Sequence, residues 1–121
     1  MSCIRVDLAL YGSVARYRGG RHISQDTVLL PPGSTFADLF TTLGIPATER
    51  GFVFRNAVLY EMPGLNVAGS ERLQDGDHVG IFSADRMWPH QYRQGARVSE
   101  ALAEALKERG DVRHTYRQAA D

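Results

Sequence analysis

The 121-residue chain has one cysteine, no excess of either charge and no long apolar run. Cys3 alone cannot form an intramolecular disulfide, so the fold does not require an oxidising compartment. Because 14 basic residues balance 14 acidic ones, a strong attraction to nucleic acid or to an anionic membrane is not expected. No apolar stretch approaches the roughly 20 residues of a membrane span, and no apolar signal-peptide core follows Met1. We therefore expect a cytoplasmic protein without a membrane partner.

The motifs of catalysis and cofactor binding are also missing. The sequence has no phosphate-binding glycine loop, no nucleophile elbow, and no cysteines or histidines at metal-ligand spacing. Asp75 and Asp77 look like a carboxylate pair, but turn chemistry explains both, since Asp side chains satisfy local backbone donors. We therefore predict no catalytic residue, no metal site and no bound cofactor, and we expect that the chain is not an enzyme.

Apolar periodicity in the first two-thirds of the chain predicts strands and one helix. Residues 4–10 alternate apolar and polar side chains, which is typical of a half-buried strand, and residues 22–30 contain a second strand. Thr35 followed by Asp38 has the pattern of a capping box at the start of a helix. Four apolar residues then recur at helical spacing: Phe36, Leu39, Phe40 and Leu43. Gly44 ends the predicted helix.

The remaining elements of this part follow from turn residues. A third strand is predicted at 52–55, with a turn that continues it through 56–59. Residues 60–70 are expected to form a loop with a short strand at 65–67, and residues 11–21 to form another loop. A tight turn then precedes a last strand that ends at Phe82. The predicted order is strand, strand, helix, strand, short strand, strand.

Two segments of this part, PPGSTFADLFTTLGIP (31–46) and LQDGDHVGIF (73–82), resemble the ThiS/MoaD sulfur carriers. The resemblance implies an α+β, ubiquitin-like β-grasp domain over residues 1–83, with a mixed four- to five-stranded sheet packed on one helix. In that family the last strand runs into a slim tail that ends in Gly-Gly. The terminal carboxylate is adenylated and then becomes a thiocarboxylate.

This chain departs from the family pattern after Phe82. The expected Gly-Gly is absent, and Trp88 lies near where those glycines would be. A bulky side chain there would obstruct the narrow channel of an activating enzyme, so the leading hypothesis is that the chain is not a carrier in the form encoded. The alternative is a sulfur carrier for a molybdopterin- or thiamine-type cofactor, trimmed to a C-terminal glycine at Gly95.

Residues 84–121 are predicted to form a connector, a second helix and a polar tail. The helix is expected at 96–109, and its apolar face consists of Val98, Ala101, Leu102, Ala105 and Leu106. Like-charged neighbours such as Glu100 and Glu104 give it little support from ion pairs, so it must dock on another surface to be stable. It could fold onto its own sheet or onto that of a second copy.

We therefore expect a non-enzymatic binding or accessory subunit that uses its open sheet face and its C-terminal extension. The resemblance implies a protein partner, which would be an adenylating enzyme, a cofactor-assembly enzyme or a metabolic enzyme. The connector is rich in residue types that are common at binding hot spots. The predicted partner-binding residues are Phe82, Arg86, Met87, Trp88, His90, Tyr92 and Arg93.

A third hypothesis concerns the Arg16–Arg21 loop, which contains Gly19-Gly20 between arginines. Successive backbone N–H groups and guanidinium groups can bind anions, so a phosphate or RNA contact is conceivable there. The zero net charge argues against nucleic acid as the partner. An exposed edge strand would also allow a homo-oligomer.

Overall fold

A computed structural model of the chain describes residues 3–84, 96–109 and 116–118. These residues form an α+β fold, as predicted, with one mixed sheet of seven strands. In chain order the elements are β1 (Ile4–Tyr11), a 3₁₀ helix (Gly12–Arg18), β2 (Ile23–Leu30), α1 (Phe36–Leu43), β3 (Arg50–Arg55), β4 (Val58–Glu61), β5 (Asp77–Ser83), β6 (Ala96–Val98), α2 (Glu100–Arg109) and β7 (Tyr116–Gln118). The predicted β1, β2, α1, β3 and β5 are all present, but the strand between β3 and β5 lies at 58–61 rather than at the predicted 65–67.

The strands lie in the order β2-β1-β5-β3-β4-β6-β7. β1 pairs antiparallel with β2 along its whole length, from Ile4 opposite Leu30 to Tyr11 opposite Ile23. On its other side β1 pairs parallel with β5, which brings the first and fifth strands together in the middle of the sheet. β6 and β7 extend the sheet beyond β4 in parallel register, so the C-terminal part of the chain adds to the same sheet.

Helix α1 covers one face of the sheet, here called the inner face. It begins with the predicted capping box, in which the Thr35 side chain accepts from the Asp38 N–H and the Asp38 side chain accepts from the Thr35 N–H. It ends at Gly44, whose φ of 77° is left-handed. The apolar stripe of α1 packs against the inward side chains of β1, such as Val6 and Leu10. Alternation in the strands and helical spacing in α1 therefore build the main core, as the sequence predicted.

The β3–β4 hairpin turns at Asn56 and Ala57, which both have positive φ (50° and 69°). A two-residue loop of this kind matches the twist of the flanking strands. The Asn56 side chain accepts from the His78 N–H (3.0 Å) and donates to the Asp77 carboxylate (3.1 Å). The turn predicted to begin at residue 56 is thus confirmed, but it is limited to Asn56 and Ala57, since β4 begins at Val58. The Asn56 side chain also ties the hairpin to β5.

A buried ion pair holds the chain after β4. Arg50 Nε lies 3.1 Å from Glu61 Oε1, and the side chains of Arg50 and Glu61 are 9% and 0% exposed. The Glu61 carboxylate also accepts from the Asn66 side chain (3.1 Å) and from the Ala68 N–H (3.0 Å). Buried charges require such partners, because an unpaired carboxylate in the interior is very costly.

Five sequence predictions about local structure are wrong. Residues 12–18 of the first predicted loop form a 3₁₀ helix, because Val14 and Ala15 pack into the core. The predicted loop 60–70 begins two residues too early, and 65–67 form no strand; Leu65 makes only an isolated bridge to Met62.

The other two concern the C-terminal part. Residues 96–98 are strand β6 rather than the first turn of the helix, since Val98 pairs with Leu59. Ser99 then caps α2, its Oγ accepting from the Leu102 N–H (3.2 Å). Residues 116–118 pair with β6 as strand β7, where the sequence predicted only a polar tail.

Candidate functional site

The outer face of the sheet, opposite α1, is divided into two halves. The covered half consists of the outward side chains of β3 and β4 together with α2, which packs on them. Leu102 and Leu106 of α2 and Val98 of β6 are buried against an apolar set on the strands: Phe52, Phe54 and Leu59. The expectation that the final helix must dock is confirmed, and it docks on the sheet of its own chain.

The open half is the outer face of β2, β1 and β5. Its side chains, with Phe54 and Ala57 at the border, line a groove of about 960 Å³ that we call the outer-face groove. The outward residues of β1 and β5 that line it include Asp7, Ala9 and Tyr11 on one strand and His78, Gly80 and Phe82 on the other. The parallel β1–β5 pairing places these two sets side by side.

Aromatic rings form one end of the outer-face groove. Tyr11 and Phe82 stack with ring centroids 4.5 Å apart and planes 14° apart. Phe54 meets Phe82 edge-on at 5.9 Å and 77°. Phe54 is buried, whereas Tyr11 and Phe82 are only partly buried. The stack thus joins the covered half to the open half and presents aromatic surface to the groove.

The floor of the groove beside the stack has almost no side chains. Ala9 and Gly80 are register partners in β1 and β5. A Cβ at Gly80 would have Tyr11 Cε2 as its nearest neighbour at 3.8 Å, which is an ordinary contact. The fold therefore has room for alanine at this central-strand position. Without a side chain at position 80, the backbone of the floor is open to close approach by another molecule.

Polar side chains lie at the other end of the groove. Asp7 lies 3.5 Å from His78 Nδ1 and 3.5 Å from Arg5 Nε, and it accepts from the Thr27 hydroxyl at 3.4 Å. These groups are well exposed, so they contribute little to stability. They are available to orient a bound partner by hydrogen bonds at the rim of an apolar patch.

Of the predicted partner-binding residues, Phe82 lies in the outer-face groove. The other six, Arg86, Met87, Trp88, His90, Tyr92 and Arg93, lie outside the described residues, as does Gly95. Sequence reasoning missed Tyr11 and Gly80. Tyr11 continues the outward phase of β1, and that alternation was the available signal.

The Arg16–Arg21 loop is less suited to anions than its sequence suggests. Arg16 pairs with Glu49 and Arg18 pairs with Asp26. Hydrogen bonds from the Tyr17 hydroxyl and from Arg16 lower the pKa of Glu49, which therefore keeps its negative charge beside the loop. Two of the loop arginines thus already have carboxylate partners, which speaks against phosphate or RNA binding there.

Within residues 3–84, 96–109 and 116–118, no group of three or more His, Cys, Asp or Glu side chains could hold a metal ion. Among the same residues, no helix is both long enough and apolar enough to cross a membrane. Comparison with known protein families finds no match, and comparison with curated proteins finds none either.

Proposed function

We propose that the chain is a ThiS/MoaD-like β-grasp protein that works as a non-enzymatic binding or accessory subunit. The strand order β2-β1-β5-β3-β4 supports this fold proposal, since it is the β-grasp arrangement, with a parallel β1–β5 pair at its centre. Helix α1, which begins with the capping box of Thr35 and Asp38 and is the α-helix that the described residues place on the inner face, supports it as well.

The observation that carries the functional proposal is the floor of the outer-face groove at Gly80. Glycine in the middle of a strand is less stable than alanine by about 0.5–1 kcal/mol. Glycine is present at position 80 although its surroundings leave space for a Cβ. A partner that approaches the floor closely, with the Tyr11–Phe82 stack as its apolar anchor, would account for glycine at this position.

The proposed partner is a protein, and the resemblance points to an adenylating, cofactor-assembly or metabolic enzyme of the cytoplasm. The groove combines an aromatic end with a polar end around Asp7, as protein interfaces combine an apolar centre with a polar rim. We expect the partner to place an extended segment or small side chains over Ala9 and Gly80, because bulky side chains would keep its backbone away from the floor.

The test is to purify the tagged full-length chain from its native host and to quantify co-purifying proteins. We expect one stoichiometric partner, and we expect Tyr11→Ala to lower its recovery by about 30-fold, as hot-spot truncations of 2 kcal/mol do. The matched control is Thr42→Ala on the exposed side of α1. Equal recovery with both variants, or no stoichiometric partner, would contradict the proposal.

The alternative, a carrier trimmed after Gly95, faces a structural cost. Trimming would remove β6, α2 and β7, and thereby uncover Phe52, Phe54 and Leu59, which are now buried. An exposed apolar patch of this kind is an aggregation hazard. The intact mass of the native protein separates the two hypotheses: a chain that ends at Gly95 with a thiocarboxylate would establish the carrier, and a full-length chain would exclude it.

A further inference from the structure

Strand β2 forms one edge of the sheet that the described residues build. It is eight residues long and pairs with β1 without a register shift. Native edge strands are usually protected by proline, by charged side chains, by a bulge or by short length. Residues 23–30 contain neither proline nor lysine, and the regular pairing with β1 leaves them without a bulge. Their one charged residue is Asp26, which already pairs with Arg18.

The outward row of β2 is uncharged. It consists of Ile23, Gln25, Thr27 and Leu29. Ile23 and Leu29, at its two ends, are 56% and 66% exposed, and among the described residues they are the large hydrophobic side chains that remain exposed. Both therefore lie on one edge strand, symmetrically about Asp26.

The backbone groups of β2 that face away from β1 have the same phase as this row. One of them, the Thr27 N–H, donates to the Asp26 carboxylate (2.8 Å) on its own strand, a local bond that pairing with a second strand would replace. On the neighbouring strand β1, the Arg5 N–H donates to the Asp75 side chain and the Arg5 C=O accepts from the Gly76 N–H, so both backbone groups of Arg5 point toward β5. Arg5 lies opposite Leu29, and these two residues therefore form a non-hydrogen-bonded pair of the antiparallel ladder. Ile23, Gln25, Thr27 and Leu29 thus direct their peptide groups to the open edge.

We propose that β2 pairs antiparallel with β2 of a second copy of this chain, about a two-fold axis at Asp26. This register places Ile23 opposite Leu29 at both ends, and Gln25 opposite Thr27 twice between them. Cross-strand apolar pairs stabilise a ladder, and the pairing covers both exposed hydrophobic residues. It is an isologous contact, in which the same patch serves on both copies.

The charges at the axis are balanced. Asp26 lies opposite its symmetry mate, and each Asp26 carboxylate lies 3.3 Å from Arg18 of its own chain. Two carboxylates and two guanidinium groups therefore meet there, and each Arg18 offsets part of the repulsion between the opposed aspartates. The outer faces of both copies lie on the same side of the joined sheet, which leaves the outer-face groove of each copy accessible.

A disulfide test checks the register. Two residues that face each other in a non-hydrogen-bonded pair have Cα atoms about 4.5 Å apart, within the range of a disulfide. In a Cys3→Ser background, which removes the exposed native thiol, we expect Asp26→Cys to give a covalent dimer on mild oxidation. Gln25→Cys is the matched control, because its symmetry mate lies beyond about 7 Å and should react about tenfold more slowly or less.

Sedimentation of the full-length chain over a concentration series checks the dimer itself. We expect reversible dimers that Leu29→Lys abolishes, while Thr42→Lys, the same change on exposed α1, leaves them intact. Circular dichroism verifies that both variants are folded. A wild-type chain that stays monomeric at millimolar concentration overturns the proposal. This is the result expected if β2 instead binds a segment of another protein. Equal cross-linking of the two cysteine variants also overturns it. If the Leu29→Lys variant loses the dimer, we expect it still to bind the outer-face partner. Failure of the dimer proposal can therefore be distinguished from failure of the proposed function.

Discussion

The two halves of the outer sheet face both carry aromatic side chains but differ in what covers them. On the covered half, Phe52 and Leu59 lie under Leu102 of α2 and are buried. On the open half, Tyr11 and Phe82 stack on each other and remain partly exposed above a bare floor. The chain therefore closes part of an apolar face with its own C-terminal extension and leaves a bounded groove beside it.

The comparison shows that the C-terminal extension buries apolar surface of β3 and β4 that could otherwise form an interface with another molecule. A large exposed apolar patch signals either a binding site or an aggregation hazard. With α2 in place, the outer-face groove of about 960 Å³ remains, limited on one side by Phe54 and on the other by β2. The following predictions, from the largest expected effect to the smallest, test whether the covered half is structural and the open half functional.

Leu102→Ala should lower the free energy of unfolding by about 2–5 kcal/mol, because it leaves a cavity at a fully buried site between α2 and the strands. Urea denaturation followed by circular dichroism measures the change. The control is Glu104→Ala on the exposed side of the same helix, for which we expect about 0.5 kcal/mol or less. A loss below about 1 kcal/mol for Leu102→Ala would mean that the docking of α2 contributes little.

Gly51→Ala should destabilise the fold by about 1–3 kcal/mol, since overpacking forces the backbone to shift. A Cβ at Gly51 would lie 2.7 Å from Ser83 O and 3.0 Å from Ala84 Cα. Thermal unfolding would show a lower midpoint than wild type. An unchanged midpoint would indicate that the end of β5 can move away from β3 without cost.

Gly80→Ala should have the opposite effect and raise the free energy of unfolding by about 0.5–1 kcal/mol. Its Cβ would meet only Tyr11 Cε2 at 3.8 Å, so the fold gains the strand preference of alanine without a clash. The same change should weaken binding of the outer-face partner by filling the floor. A variant that is more stable and binds unchanged would remove the functional reason for this glycine.

Ile23→Thr should change the free energy of unfolding by about 0.5 kcal/mol or less, because the side chain is 56% exposed and threonine keeps the β-branched shape. Differential scanning calorimetry at low protein concentration, where dimers are absent, makes the measurement. A loss comparable to that of Leu102→Ala would show that the open half is part of the structural core.

Much of the fold could be predicted because its signals are local. The alternation of β1, the capping box of Thr35 and Asp38 and the tight turn before β5 depend on residues within one element or turn. The candidate site was predicted only through Phe82. Its stacking partner Tyr11 and its floor at Gly80 come from distant parts of the chain, and no periodicity within one segment shows that β1 and β5 are parallel neighbours.

The sequence by itself determined β1, β2, α1, β3 and β5, and it determined that the last helix needs a docking surface, since periodicity, capping and turn chemistry act over a few residues. Only the tertiary structure decided that residues 96–98 become strand β6, because the free edge of β4 offers Val98 a partner at Leu59. It also decided that Glu61 is buried, because Arg50, on the neighbouring strand β3, supplies the opposite charge. Long-range pairing satisfies backbone and charged groups that no local pattern specifies, and this pairing leaves the outer-face groove open.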